Sequence, residues 1–207
     1  KQAFIRNDQE RYMTFLNNVL QGKATLHADN VAPYELIRPY MTWNWNGPSL
    51  ETMSKSEKDA LNASWASLLD FCSDEDMLAV VDTSGSMHSS YGLPAAVALS
   101  LGLYLAEHNK GRFRNHFIEF SERPQLIRLK GETFVDKLRY ILTFDEIADT
   151  NLEAVFQLIL CVAVKNKLPQ KELPGKLVII SDMEFNVCVT NASETNFENA
   201  RRRYEAY

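Results

Sequence analysis

The sequence lacks most features that mark membrane, secreted or nucleic-acid-binding proteins. Its 207 residues carry a formal net charge of −5, so no general basic field is available to bind phosphate backbones. No apolar run approaches the roughly 20 residues that a membrane-spanning helix needs. The first residues, Lys1-Gln2-Ala3, do not resemble a signal peptide. We therefore expect a cytoplasmic protein with no membrane partner.

Cysteine is scarce, and its spacing excludes the common zinc and redox motifs. The three cysteines are Cys72, Cys161 and Cys188. They form no C-x-x-C pair, so we expect reduced, buried thiols. The four histidines are scattered without the spacing of metal ligands, and we expect His88 to lie on the surface.

The composition is that of a globular protein with a real core, and the chain length suits one domain with a modest extension. The first 72 residues predict a helical N-terminal extension. Apolar residues recur at helical spacing over 7–22, with Asn7 and Glu10 placed as a capping box. Another helix is expected over 33–37, and a third after a capping box at Ser54 and Glu57.

From residue 73 onward, buried strands alternate with helices. We predict strands over 77–81, 113–120, 125–129 and 176–180, and helices over 93–106, 133–142, 152–164 and 195–207. This order predicts an α/β fold of the doubly wound, Rossmann-like type, with a mostly parallel central sheet and helices on both faces. Ligands of such folds bind at the carboxyl ends of the strands.

The first of these strands leads directly into a group of oxygen-bearing side chains. Asp82-Thr83-Ser84-Gly85-Ser86 offers one carboxylate and two serine hydroxyls on a tight loop between a strand and a helix. Asp182 ends a second buried strand in the same way, and Thr150 precedes another helix. Such donors suit a hard cation, since Mg²⁺ demands oxygen ligands in near-octahedral geometry.

These elements resemble the D-x-S-x-S, Thr and Asp elements of the metal-ion-dependent adhesion site of von Willebrand factor type A (vWA) domains, over roughly residues 76–190. The resemblance implies that Ser84, Ser86 and Thr150 contact Mg²⁺ directly, whereas Asp82 and Asp182 often act through water. An Asp or Glu of a protein partner then completes the shell. The donors would also accept Mn²⁺ or Ca²⁺.

Three further residues are expected to surround the ligands: Thr83, Gly85 and Asp149. Asp149 departs from the pattern, because many vWA domains carry a small residue directly before the threonine. It would either add negative charge to the site or cap the helix that begins at Leu152, and we favour the cap.

Longer runs narrow the resemblance to an uncharacterised intracellular vWA family related to the Ro/TROVE ribonucleoproteins. The runs are residues 79–87, 150–156 and 179–185. Helical repeats precede the vWA domain in those proteins, and the domain normally continues beyond a helix corresponding to residues 201–204. We therefore expect a helical extension over 1–72 and a vWA domain over 73–207 that is truncated at its C-terminal side.

Three functions are compatible with these features. The favoured one is a non-enzymatic, metal-dependent protein-binding module or scaffold. The alternative is a ribonucleoprotein component in which Trp43, Trp45 and the cluster Arg201-Arg202-Arg203 contact RNA. We expect those tryptophans to pack in the core and those arginines to form a solvated helix end. A metal-dependent hydrolase ranks last, because no convincing general base accompanies a second metal.

Overall fold

The computed structural model describes residues 8–24, 31–41, 48–72, 74, 76–144, 151–182 and 196–206. The helices within these ranges are α1 (Gln9–Leu20), α2 (Pro33–Ile37), α3 (Lys55–Ala66), α4 (Ser89–His108), α5 (Phe134–Ile141), α6 (Leu152–Lys165) and α7 (Asn196–Glu205). The strands are β1 (Met77–Asp82), β2 (His116–Phe120), β3 (Gln125–Arg128) and β4 (Lys176–Ile180). The predicted α/β class is confirmed.

The four strands form one mixed sheet in the order β3-β2-β1-β4. Strand β1 is central and pairs in parallel with both β2 and β4. Strand β3 pairs with β2 in the antiparallel direction, because a short turn through Pro124 joins the two strands. The sheet is therefore mostly parallel, with one antiparallel strand at its edge.

Helices cover both faces of this sheet. Alternate residues of a strand point to opposite faces, and the central strand is apolar on both of them. Ala79 and Val81 face a core cluster that contains α4 and α5 residues. Leu78 and Val80 face a second cluster that contains α6 residues and is flanked by Tyr204 of α7. The arrangement is a three-layer sandwich.

Helix α4 packs closely on β1, and a glycine permits this approach. A Cβ atom added at Gly102 would lie within 2.2 Å of a Val81 methyl group. Any larger side chain at residue 102 would force the helix away from the sheet. By length and composition alone the helix could cross a membrane, but ten of its residues are buried within the protein. Its apolar character is thus explained by core packing.

Two of the N-terminal helices, α2 and α3, belong to the same core, whereas Leu16 and Val19 of α1 lie in a separate buried cluster with Ala60 and Ala63 of α3. Ile37 of α2 and Leu61 of α3 lie in the cluster that faces α4 and the sheet. The Trp65 ring stacks on Phe134 of α5 with 4.2 Å between ring centroids. Its indole N–H donates to Glu107 of α4 at 2.6 Å. Residues before position 72 therefore share buried contacts with the α/β layers, while the domain boundary at 72 stays a prediction.

The helix caps confirm one sequence prediction and correct another. Ser54 and Glu57 form the predicted capping box at α3, and the hydrogen bonds from Ser54 lower the pKa of the Glu57 carboxyl. Helix α1 is capped by Asp8, whose side chain accepts from the Arg11 N–H, so the capping box predicted at Asn7 is wrong. Asn151 caps α6 by accepting from the Ala154 N–H, whereas Asp149, for which a cap was favoured, lies outside the described residues.

Two further predictions are corrected by the structure. Strand β2 begins at His116 rather than at residue 113, because the preceding residues form a turn with Asn115 in the left-handed region at φ 60°. Cys161 is exposed on α6, contrary to the expectation of buried thiols, whereas Cys72 is half-buried and burial raises the pKa of its thiol.

Trp43, Trp45, Asp149, Thr150 and Cys188 lie outside the described residues. What the sequence predicts for these five residues therefore stays a prediction.

Candidate metal site at the ends of two parallel strands

The site lies where the connections of the sheet change direction. From β1 the chain passes through α4 to β2 on one side, and it later reaches β4 on the other side after α6. In open α/β sheets, a crevice forms at the carboxyl ends of such neighbouring strands. Val81 of β1 is paired with Ile180 of β4, so the residues that follow, Asp82 and Ser181, come side by side.

Asp82 is fully buried at this point, and neutral groups hold both of its carboxylate oxygens. Oδ1 accepts the backbone N–H of Ser84 at 2.9 Å, which tightens the loop after β1. Oδ2 accepts the hydroxyl of Ser181 at 2.5 Å, which ties β1 to β4. Among the described residues, no Lys, Arg or His side chain forms an ion pair with Asp82. The bonds fix the carboxylate without balancing its charge.

Two hydroxyls stand beside this carboxylate. The Oγ atoms of Ser84 and Ser86 are 3.2 Å apart. Octahedral Mg²⁺, with oxygen ligands at about 2.1 Å, places neighbouring ligand oxygens about 3.0 Å apart. The 3.2 Å separation is that of a hydrogen bond between the two hydroxyls, and it is also compatible with two adjacent ligands of such an ion. Ser84 is buried and Ser86 is exposed, so the hydroxyls lie at the boundary between protein and solvent.

Thr83, between Asp82 and Ser84, is held from two sides. Its backbone carbonyl contacts Nε2 of His88 at 3.1 Å, and its hydroxyl donates to Oε1 of Glu119 at 3.4 Å. His88 is half-buried against its own loop, so its assignment as a surface histidine was wrong. Glu119 is a buried residue of β2. The loop thus rests on β2 through Thr83 and on β4 through Asp82.

The donor set suits a hard, oxygen-preferring cation better than a softer ion such as Zn²⁺ or Cu²⁺. Within the described ranges, no three His, Cys, Asp or Glu side chains are grouped as a metal cluster. The groups that do converge are hydroxyl and carboxylate oxygens, which Mg²⁺, Ca²⁺ and Mn²⁺ prefer over imidazole or thiolate. The residues present are therefore chemically compatible with the implied ion.

The loop lies in the part of the chain that matches a known protein family. A family model described as "Domain of unknown function (DUF7788)" matches residues 76–207, which is more than half of the chain. The chain belongs to the DUF7788 family. The DUF7788 match begins just before β1 and includes Asp82, Ser84, Ser86, Thr150 and Asp182.

One relative extends the comparison to the N-terminal helices. "Uncharacterized protein L728" of Acanthamoeba polyphaga mimivirus is 30% identical over 204 residues, which cover 99% of this DUF7788 chain. The chain spans 34% of the length of that viral protein. No solved structure matches the chain.

The structure brings together part of the predicted ligand set. Asp82, Ser84 and Ser86 share one loop of the DUF7788 domain, with buried Thr83 and exposed Gly85 as neighbours. Asp182 is exposed and directly follows Ser181, so it lies at the end of β4 beside the loop. Thr150 is outside the described residues, and its place in the ligand set stays a prediction.

Two residues that contact the loop were missed from the sequence. Ser181 stands in the motif that ends β4, yet it was not singled out beside Asp182. Glu119 is a lone acidic residue in the otherwise apolar end of β2, between Ile118 and Phe120. A carboxylate at a buried strand position was the signal that could have identified it, since burying a charge is costly.

In the arginine cluster of α7, Arg201 and Arg202 are exposed, as expected for a solvated helix end, whereas Arg203 is half-buried. Arg201 pairs with Glu205 at 2.8 Å along the same helix. Arg203 pairs with Glu153 of α6 at 2.8 Å, and Glu153 is buried. Two of the three arginines therefore already have carboxylate partners, and Arg203 attaches α7 to α6.

Proposed function

We propose that the chain is a metal-dependent binding module with a doubly wound vWA-type fold. In this proposal Asp82, Ser84, Ser86, Thr150 and Asp182 hold Mg²⁺, and an acidic residue of a protein partner completes the coordination. The role is binding or scaffolding rather than catalysis. Mn²⁺ and Ca²⁺ are the alternative ions.

The observation that carries the proposal is the environment of Asp82. A fully buried carboxylate is costly unless a positive charge compensates it. Asp82 receives only neutral donors, from Ser84 and Ser181, and no ion pair with a described residue. A cation at the adjacent hydroxyls of Ser84 and Ser86 would supply the missing charge. Such a cation would explain why several polar side chains lie at the end of an apolar strand.

Each residue has a distinct task in the proposed site. Asp82 supplies negative charge and fixes the loop, because its Oδ1 holds the Ser84 backbone. Ser84 and Ser86 present two hydroxyl oxygens at ligand spacing. Asp182 and Ser86 are exposed, which leaves the site accessible to a macromolecule. The task of Thr150 follows from the resemblance to vWA domains.

A bound divalent cation with few anionic ligands would attract a partner's carboxylate in preference to water. The protein's contribution is to limit its own anionic donors and to keep one side of the site open. Binding of this kind should depend on a divalent cation and be abolished by a chelator.

The test is calorimetric titration of Mg²⁺, Mn²⁺ and Ca²⁺ into the wild type, Asp82→Asn and Ser84→Ala. We expect saturable binding by the wild type and a loss of at least 100-fold in affinity for Asp82→Asn. Asp74→Asn is the matched control, because Asp74 precedes β1 at its opposite end and pairs with Lys110. Equal binding by all variants, or none by the folded wild type, would contradict the proposal.

A further inference from the structure

Glu119 is a buried acidic residue that none of the proposed ligand roles uses. It is 5% exposed and sits on β2, opposite Val81 in the sheet. Its neighbours Ile118 and Phe120 are fully buried. A carboxylate in such a position is costly to retain, so its contacts are the place to seek its role.

Those contacts lead to the loop of the candidate site. Oε1 of Glu119 accepts the hydroxyl of Thr83 at 3.4 Å, at the long end of the hydrogen-bond range. Oε2 accepts the hydroxyl of Ser121 at 3.1 Å, which holds the carboxylate from the other side. Thr83 is itself buried, and it is the residue that joins Asp82 to Ser84.

We propose that Glu119 is a positioning residue for the cation site, acting through the hydroxyl of Thr83. Its carboxylate fixes the rotamer of Thr83 and, with His88 on the Thr83 carbonyl, the backbone between Asp82 and Ser84. The two serine hydroxyls are thereby held at ligand spacing before a cation arrives. This inference rests on the proposed function, and it assigns the site a support on β2 in addition to the support on β4.

Four variants separate positioning through this hydrogen bond from other roles, with Mn²⁺ affinity as the readout. Glu119→Leu removes the acceptor, and Thr83→Val removes the donor at nearly constant volume. We expect each to weaken Mn²⁺ binding about tenfold, because a misplaced reacting or binding group loses affinity steeply. Glu119→Gln keeps an acceptor oxygen and should stay within about twofold of the wild type.

The double variant Thr83→Val/Glu119→Leu tests whether the two residues act through each other. Residues that act as one unit give non-additive effects, so we expect about a tenfold loss rather than a hundredfold loss. If Glu119→Leu does not fold, Thr83→Val and Glu119→Gln carry the test, because a double variant can be read only against both single variants and Glu119→Leu also removes the acceptor of the Ser121 hydroxyl. Glu107→Leu is the control, since Glu107 lies at the opposite end of α4, and it should leave Mn²⁺ affinity unchanged.

The outcomes distinguish failure of this inference from failure of the proposed function. Absence of Mn²⁺ binding by the wild type would remove both. Wild-type affinity in Glu119→Leu would leave the cation site standing and remove the positioning role. A tenfold loss in Glu119→Gln, or a hundredfold loss in the double variant, would show that the charge of Glu119 acts independently of Thr83 and would also overturn it.

Discussion

A polar cluster lies at each end of helix α4. The carboxylate of one cluster pairs with a cationic side chain, whereas the carboxylate of the other accepts hydrogen bonds from neutral donors. At the C-terminal end, Glu107 accepts from the Trp65 indole and from Lys137, whose Nζ lies 2.5 Å away. At the N-terminal end, Asp82 accepts, among the described residues, only from a backbone N–H and a serine hydroxyl. Glu107 is thus compensated by the cationic side chain of Lys137, whereas Asp82 forms no ion pair with a described residue.

The difference separates a structural ion pair from a candidate binding site. The Glu107 and Lys137 side chains are 16% and 19% exposed, and their pair joins α4 to α5. Asp82 is more deeply buried, yet its charge is balanced by no ion pair among the described residues. Beside it, Ser84 is buried and Ser86 is exposed, so the polar groups extend to the surface. A carboxylate that is buried and has no compensating positive charge is therefore a better indicator of a candidate ligand site than a carboxylate that is only buried.

The largest effect on stability is expected from breaking the compensated cluster. Lys137→Met keeps the aliphatic stem and removes the charge, so Glu107 stays in place without its cation. We expect the free energy of unfolding to fall by about 2–3 kcal/mol. Urea denaturation measures this. Lys110→Met is the control, because its partner Asp74 is exposed, and it should show no measurable change. Equal losses in both variants would contradict the comparison.

A smaller change, of opposite sign, is expected at the other cluster when no divalent cation is present. Asp82→Asn keeps the side chain's shape and its acceptor for the Ser84 N–H, while it removes the buried charge. In the presence of a chelator we expect the free energy of unfolding to rise by about 1 kcal/mol. Glu107→Gln should instead destabilise the protein, because Lys137 loses its counterion. A loss of stability in both would mean that Asp82 is structurally compensated.

The smallest effect concerns the backbone at the two ends of α4. Three successive residues near its start, Ser90, Tyr91 and Gly92, have left-handed φ angles, whereas its C-terminal end is regular. Tyr91 is 89% exposed, so little packing offsets its strain. Tyr91→Gly should raise the free energy of unfolding by about 0.5 kcal/mol in chemical denaturation. Tyr91→Ala keeps the Cβ atom and should show no such gain.

Much of the fold could be predicted because local patterns and tertiary packing agree. The apolar run of β4 has no competing interpretation, and its bounds were predicted as observed, although its residues are half-buried or exposed rather than buried as predicted. The regular part of α4 begins at the predicted Leu93, after the left-handed turn. Strand β2 was predicted too long, because a left-handed Asn115 leaves no mark in hydrophobic periodicity.

The site could be predicted less completely, since its contacts join distant segments. The loop from Asp82 to Ser86 was visible as a motif. Its supports were not, because Ser181 and Glu119 reach it only through the pairing of β4 and β2 with β1. Strand order and register are set by the whole sheet, so a neighbouring strand's contribution is hidden in the sequence.

The central claim is that a divalent cation taken up from solution compensates the negative charge of Asp82. The most direct measurement is denaturant unfolding of the wild type and Asp82→Asn, each with MgCl₂ and with chelator. We predict that Mg²⁺ at 100 times the wild type's dissociation constant raises the wild type's free energy of unfolding by about 2.7 kcal/mol and that of Asp82→Asn by no more than about 0.4 kcal/mol. An unchanged wild type, or equal stabilisation of both proteins, would contradict the account.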